Sequence, residues 1–265
     1  MRALVLSLVL LAGIGAGVAR ADREKDYVPW YKGPYAKNRI THMSITLLGG
    51  ISYYVTTRPE LAPKDCRWCG VDGLDRSARD AVHWNNVNLA ATFSTLDAYV
   101  AAPIVGLSLL YFSDKDASWR RLIDDTLPVF ETVVLSETFV NLVKITSGRQ
   151  RPYAHFGDPT TRTASPDDNA SFVSGHSALG FSITASAGLI CHWRHYWTEP
   201  YVWGVGIALS LSTEYFRMAA DKHYLTDVVV GGLVGLGFGL TIPRLMKHDV
   251  QIVPVPNGAA VVGMF

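Results

Sequence analysis

The sequence predicts an all-α fold: a helical bundle of about five core helices with its functional residues gathered at one end. Three observations predict it. Apolar stretches near 89–113, 122–147, 176–195, 200–217 and 224–246 are each longer than an ordinary strand, and polar breaks at 114–121, 148–173 and 219–222 separate them. Nearly half of the residues are hydrophobic and 18% are charged, which supplies a packed core and argues against disorder. The segments that carry the clustered cations and the histidines of interest all fall at the ends of these stretches.

Taken in order, residues 1–21 read as a signal peptide. Arg2 supplies a positive start, Ala3 to Ala16 an apolar run, and Ala19-Arg20-Ala21 small residues at the two positions a signal peptidase inspects. Cleavage after Ala21 makes the protein exported, periplasmic or facing the periplasm; an uncleaved membrane anchor is the alternative. Residues 22–87 form an N-terminal arm and a cysteine loop. Residues 22–39 are polar and aromatic, 40–57 apolar with a break at Gly49-Gly50, and 58–75 a loop containing Cys66-Arg67-Trp68-Cys69. A CxxC pair is redox-active in a strand-to-helix setting, which this Pro- and Gly-containing loop lacks. In an oxidising compartment a small disulfide between Cys66 and Cys69 is expected instead. Asp75 to Trp84 reads as a short amphipathic helix. Residues 88–246 are the bundle, with Cys191 in its core. Residues 247–265 are a tail of β-like character, and its prolines Pro254 and Pro256 restrict it to a short surface hairpin.

Charge is balanced, at 24 basic against 23 acidic residues, so no basic stripe exists for nucleic acid. The runs between Asp97 and Asp114 and between Asp227 and Arg244 fall short of the roughly 20 apolar residues of a membrane span. Glu131 and Glu137 interrupt a third with groups that are costly in lipid. The charge count therefore favours a soluble or peripheral bundle, with a membrane surface as a partner, over a multispanning one.

Three segments carry chemistry. In Lys144-Ile-Thr-Ser-Gly-Arg-Gln-Arg151-Pro152, Gly148 and Pro152 stop a helix and leave two cations around a turn. A compact ammonium and a planar guanidinium bind phosphate oxygens in complementary ways. In Ser171-Phe-Val-Ser174-Gly175-His176, Ser174 is placed to cap a helix, Gly175 admits close approach, and free N–H groups in the first turn attract an anion. In Arg217-Met-Ala-Ala-Asp-Lys-His223-Tyr-Leu-Thr-Asp227, the last His and Asp stand four apart, where a carboxylate can fix the imidazole tautomer and free the other nitrogen to attack. Each segment alone reads as well as a solvated helix end, a plain serine cap or a surface ion pair. Together they supply a clamp, an acid and a nucleophile, the inventory of phosphoryl transfer.

These residues resemble the type 2 phosphatidic acid phosphatase superfamily, which includes bacterial acid phosphatases and vanadium haloperoxidases. Its signature is Lys, six residues, Arg-Pro; then Pro-Ser-Gly-His; then Ser-Arg, five residues, His, three residues, Asp. Lys144 and Arg151-Pro152 match the first part, Ser174-Gly175-His176 the second with Val173 in place of Pro, and Arg217, His223 and Asp227 the third with Phe216 in place of Ser. The resemblance spans about residues 88–246. It implies that Lys144, Arg151, Ser174, Gly175 and Arg217 bind phosphate, that His176 is the general acid, and that His223 is the nucleophile with Asp227 as its partner. It implies no metal and no cofactor. The expected activity is hydrolysis of a phosphomonoester, with lipid phosphates favoured by the apolar helices and aromatic arm. A vanadium-dependent haloperoxidase and a non-catalytic phosphate- or lipid-binding protein are the alternatives. His192 and His195 are expected on the surface.

Overall fold

The computed structural model describes residues 35–113, 119–158, 160, 163–247, 251–255 and 258–262. The expected signal peptide and most of the expected arm lie outside them.

Helix α1 is Tyr35–Thr56, followed by a short 3-10 turn at Pro59–Leu61 and helix α2 at Gly73–Val82. Asp72 caps α2 by accepting from the Asp75 N–H at 2.8 Å. Helix α3 runs over Val87–Phe112, with a π-helical segment at Asp97–Ala101. Then come α4 at Trp119–Ser147, the short α5 at Pro152–Phe156, α6 at Gly175–Arg194, α7 at Glu199–Ala219 and α8 at Leu225–Lys247. Two short strands, β1 at Gln251–Val255 and β2 at Gly258–Val262, pair antiparallel. The all-α expectation holds, and the five predicted core helices fall within a few residues of α3, α4, α6, α7 and α8.

Two features of the N-terminal reading change. Helix α1 begins at Tyr35, inside the predicted arm, and passes unbroken through Gly49-Gly50. A Cβ on Gly49 would stand 2.7 Å from Val134 of α4. That glycine brings two helices together; it does not break one.

Helix α6 is the axis of the bundle. Apart from His176 it is buried from Gly175 to Cys191, and Leu179, Ile183, Ala187 and Ile190 pack with Ala98 and Leu110 of α3, Val129 of α4 and Val202 of α7. Small residues let the helices approach closely, as packing without large side chains requires. Helix α8 lies so near α6 that a Cβ on Gly231 would meet the Ser174 carbonyl oxygen at 2.5 Å. This contact sets the start of α8 against the start of α6.

The apolar helices are longer than the spacing of charges along the sequence suggested. Val87–Phe112, Arg121–Ser147 and Leu225–Lys247 are long and apolar enough to cross a membrane, and Leu89, Phe93, Ile104, Phe139, Leu142 and Leu233 are exposed on them. The acids that argued against spans turn inward. Glu131 is buried and contacts His42 of α1 at 3.1 Å. Glu137 is buried beside Gly175, and Asp97 accepts from Ser212 of α7 at 2.7 Å. A charge facing the bundle does not interrupt a lipid-facing surface.

Candidate active site

Each of the three chemical segments begins or ends a core helix at the same end of the bundle. The first follows α4, which stops at Ser147; Gly148 takes a left-handed conformation at φ 57° and turns the chain back. Arg67 donates to the carbonyls of Ile145 and Thr146 at 2.9 Å, closing the exposed helix end. The second segment enters α6 through Ser174, whose hydroxyl accepts from the Ser177 N–H at 3.4 Å and the Ser177 hydroxyl at 2.9 Å. The third leaves α7 after Arg217 and enters α8 after His223.

Hydrogen bonds stitch the three together. The Ser171 N–H donates to the Arg149 carbonyl at 3.0 Å, and the Ser174 N–H donates to the Asp227 carbonyl at 3.0 Å. Arg151 donates through Nη1 to the Lys222 carbonyl at 3.0 Å and through Nε to the Asp167 carbonyl at 2.9 Å. The loop between α5 and α6 thus reaches the site through Asp167 and Asp168, the carbonyl of the latter accepting from the Arg151 N–H at 2.8 Å.

The same Arg151 Nη1 lies 3.2 Å from Nε2 of His223, which is buried. A guanidinium can only donate, so Nε2 carries the lone pair and the ring proton resides on Nδ1. Burial, followed by Arg151, Arg217 and Lys144, holds the His223 imidazole well below its usual pKa. A neutral ring aims its unprotonated nitrogen into a cluster of cations. Desolvation of His176, in the first turn of α6, followed by Arg217, His223, Lys144 and Arg151, holds its imidazole well below its usual pKa. Its ring stands edge-on to Tyr99 of α3, with centroids 4.9 Å apart. Arg217 is buried, reaches Ser94 Oγ at 3.5 Å, and leaves its Nε without a protein partner. A Cβ on Gly175 would lie 3.0 Å from Glu137 and 3.4 Å from the Lys144 ammonium, so the α6 N-terminus and Lys144 face one space. Burial and the same cations also depress Lys222. Converging cations with spare donors are chemically an anion site.

Asp227 is buried four residues from His223, but its Oδ2 is 3.6 Å from Nδ1, beyond a hydrogen bond. That oxygen accepts instead from Ser171 Oγ at 2.5 Å and the Tyr224 N–H at 2.9 Å.

The sequence pattern of the PAP2 superfamily matches residues 125–250. Residues 125–250, just under half of the chain, are thus similar to that superfamily. Among solved structures the chain resembles Aquifex aeolicus LpxE, at 22% identity and a TM-score of 0.46 over 64% of this chain and 93% of that one. It also resembles a transmembrane PAP2-type phosphatidylglycerolphosphate phosphatase from Bacillus subtilis, at 16% identity and a TM-score of 0.46 over 77% and 94%.

The two departures from the motif pattern have packing explanations. Val173 is buried with Val140 and Ala178, filling an apolar niche at the entry to α6. Phe216 joins an aromatic cluster with Trp84, Phe93 and Tyr215, with ring centroids 5.2 to 5.6 Å apart. The hydroxyl near Arg217 comes from Ser94 of α3.

Cys66 and Cys69 are joined in a disulfide, and Cys191 is buried. His192 and His195 are exposed at the far end of α6, with His192 against Glu199 at 3.0 Å. The sequence reading missed Ser94, Glu137 and Ser171 beside the candidate site. It also missed Arg149 and Asp75, whose only visible signal was an extra arginine inside the first motif.

Proposed function

We propose that the chain is a membrane-spanning phosphatase that hydrolyses phosphomonoesters, lipid phosphates in particular, through a phosphohistidine on His223. The match of residues 125–250 to the PAP2 superfamily supports a phosphatase. The observation that carries the finer reading is the donation from Arg151 to His223 Nε2, which makes that nitrogen a buried, unprotonated nucleophile among cations.

Lys144, Arg151 and Arg217 hold the phosphoryl oxygens, with the Ser174 hydroxyl and the Gly175 N–H at the α6 N-terminus. The Nε2 lone pair attacks phosphorus. The bond from phosphorus to the ester oxygen breaks, and His176 gives its proton to that oxygen as the alcohol leaves. Water then attacks the phosphohistidine, His176 takes a proton from it, and the phosphorus–nitrogen bond breaks to return His223 and release phosphate. Through both steps the Nδ1 proton faces the Asp227 carboxylate, which stabilises the cationic ring of the intermediate.

A lipid substrate is supported by the exposed apolar surface around the bundle and by three helices fit to cross a membrane. The substrate's chains then share the bilayer with the helices. The signal-peptide reading of residues 1–21 would set the site toward the periplasm. The test is phosphate release from a lipid phosphate in detergent micelles and from a soluble phosphomonoester, with His223→Ala as control. Higher kcat/KM on the lipid, lost in the variant, supports the proposal. Equal release by both proteins rejects it.

A further inference from the structure

Arg149 is the largest fully buried side chain among the described residues, at 1% exposure, and it belongs to none of the phosphate-binding positions. Its guanidinium reaches two buried carboxylates: Nη1 lies 2.5 Å from Asp227 Oδ1, and Nη2 lies 2.5 Å from Asp75 Oδ2. Asp75, at 0% exposure, is on α2, outside the matched PAP2 segment. It accepts from the Thr226 N–H at 2.9 Å and the Thr226 hydroxyl at 2.7 Å, and that hydroxyl is also reached by Arg149 at 2.7 Å. The guanidinium is stacked between Trp68 and Tyr224, whose ring centroids are 4.0 and 4.4 Å from its central carbon. Trp68 sits inside the Cys66–Cys69 loop, and its main chain forms an isolated parallel bridge with that of Arg149.

We infer that Asp75 and Arg149 are positioning residues that hold the Asp227 carboxylate toward His223, and that the N-terminal segment of α2 and the disulfide loop therefore completes the catalytic machinery. This rests on the proposed role of the Asp227–His223 pair. A lone buried aspartate between Ser171 and Tyr224 has one oxygen, Oδ1, left to rotate away. The rigid fork of Arg149 fixes that oxygen, and Asp75 fixes the fork. The charge balance points the same way. Two carboxylates against one guanidinium leave a surplus negative charge beside Nδ1, which favours the cationic ring of a phosphohistidine. A fold-only ion pair has no need of that surplus.

The test is Asp75→Asn in the full chain, measured on the best substrate alone and combined with Asp227→Asn. The substitution frees the Arg149 charge and lets the Asp227 carboxylate turn. The expected result is a loss of kcat on the order of 10- to 100-fold with KM changed less than about 2-fold. The acidic limb of the pH profile moves to lower pH, because both changes weaken the negative field on the His223 ring. In the Asp227→Asn background, Asp75→Asn produces a much smaller further loss, the part that comes from its charge alone. Trp68→Leu, at a position 40% exposed, gives the same pattern by a smaller factor and serves where Asp75→Asn does not fold. An equal loss in both backgrounds, or a loss confined to KM, overturns the inference. If Asp227→Asn itself keeps wild-type kcat, the assignment of the Asp227–His223 pair fails instead, and the two failures remain distinct.

Discussion

Arg151 places Nη1 3.2 Å from Nε2 of His223 and thereby fixes which imidazole nitrogen is free. The same guanidinium also donates to the Lys222 and Asp167 carbonyls, so it is held from two sides before any ligand arrives. Such preorganisation removes the reorganisation cost at the moment of reaction. In the proposed mechanism Arg151 is both a clamp and a reporter of the nucleophile's protonation.

The first prediction concerns pH. Burial and three cations hold His223 well below its usual pKa. A nucleophile must be unprotonated, so activity is present above that depressed pKa and lost as pH falls through it. The acidic limb of kcat/KM should therefore lie below about pH 6.5, the ordinary imidazole range. Removing one cation with Arg151→Ala raises the His223 pKa and should move the limb upward. A limb that stays in place in this variant would detach the profile from His223.

Arg217→Lys tests the clamp. The buried guanidinium keeps its Nε without a protein partner and touches Ser94 at 3.5 Å. Lysine keeps the charge but loses the planar fork. The loss expected in kcat is about 10²- to 10³-fold, as for removal of one preorganised donor at a developing oxyanion. Steady-state kinetics on membranes or detergent extracts checks it.

Ligand binding should stabilise the fold. Lys144, Arg151 and Arg217 repel one another across the site, and an oxyanion relieves that repulsion. Orthovanadate at about 100 times its Kd should add about 2.7 kcal/mol to stability, seen as a higher Tm. Lys144→Gln should reduce the shift. Halide oxidation by the vanadate-loaded protein would instead favour haloperoxidase chemistry.

Partition is a fourth prediction. With apolar faces exposed on α3, α4 and α8, the protein should sediment with membranes and resist extraction by alkaline carbonate, dissolving only in detergent. Release by carbonate would return the bundle to a peripheral position.

The fold was legible because polar breaks and Gly or Pro punctuate each apolar run. Lys144, Arg151, His176 and His223 were legible because their motifs lie where helices end, so one end of a bundle collects them. Arg149 and Asp75 were not. They are 74 residues apart and meet only through tertiary contact, and nothing local distinguishes a buried charge from a solvated one. The lengths of the apolar helices were underread for the same reason: Glu131 and Glu137 were counted as interruptions, and only packing shows that they face inward. Gly49-Gly50 looked like a break because sequence alone does not reveal Val134 against it.

The central claim is most directly tested by trapping the intermediate. The protein is mixed with labelled substrate, quenched within one turnover under alkaline conditions, and analysed by peptide mass spectrometry. The account predicts an acid-labile phosphoryl group on His223, absent in His223→Ala and accumulating when His176→Asn slows its hydrolysis. Turnover at the wild-type rate by His223→Ala, or phosphate carried on any other residue, would contradict it.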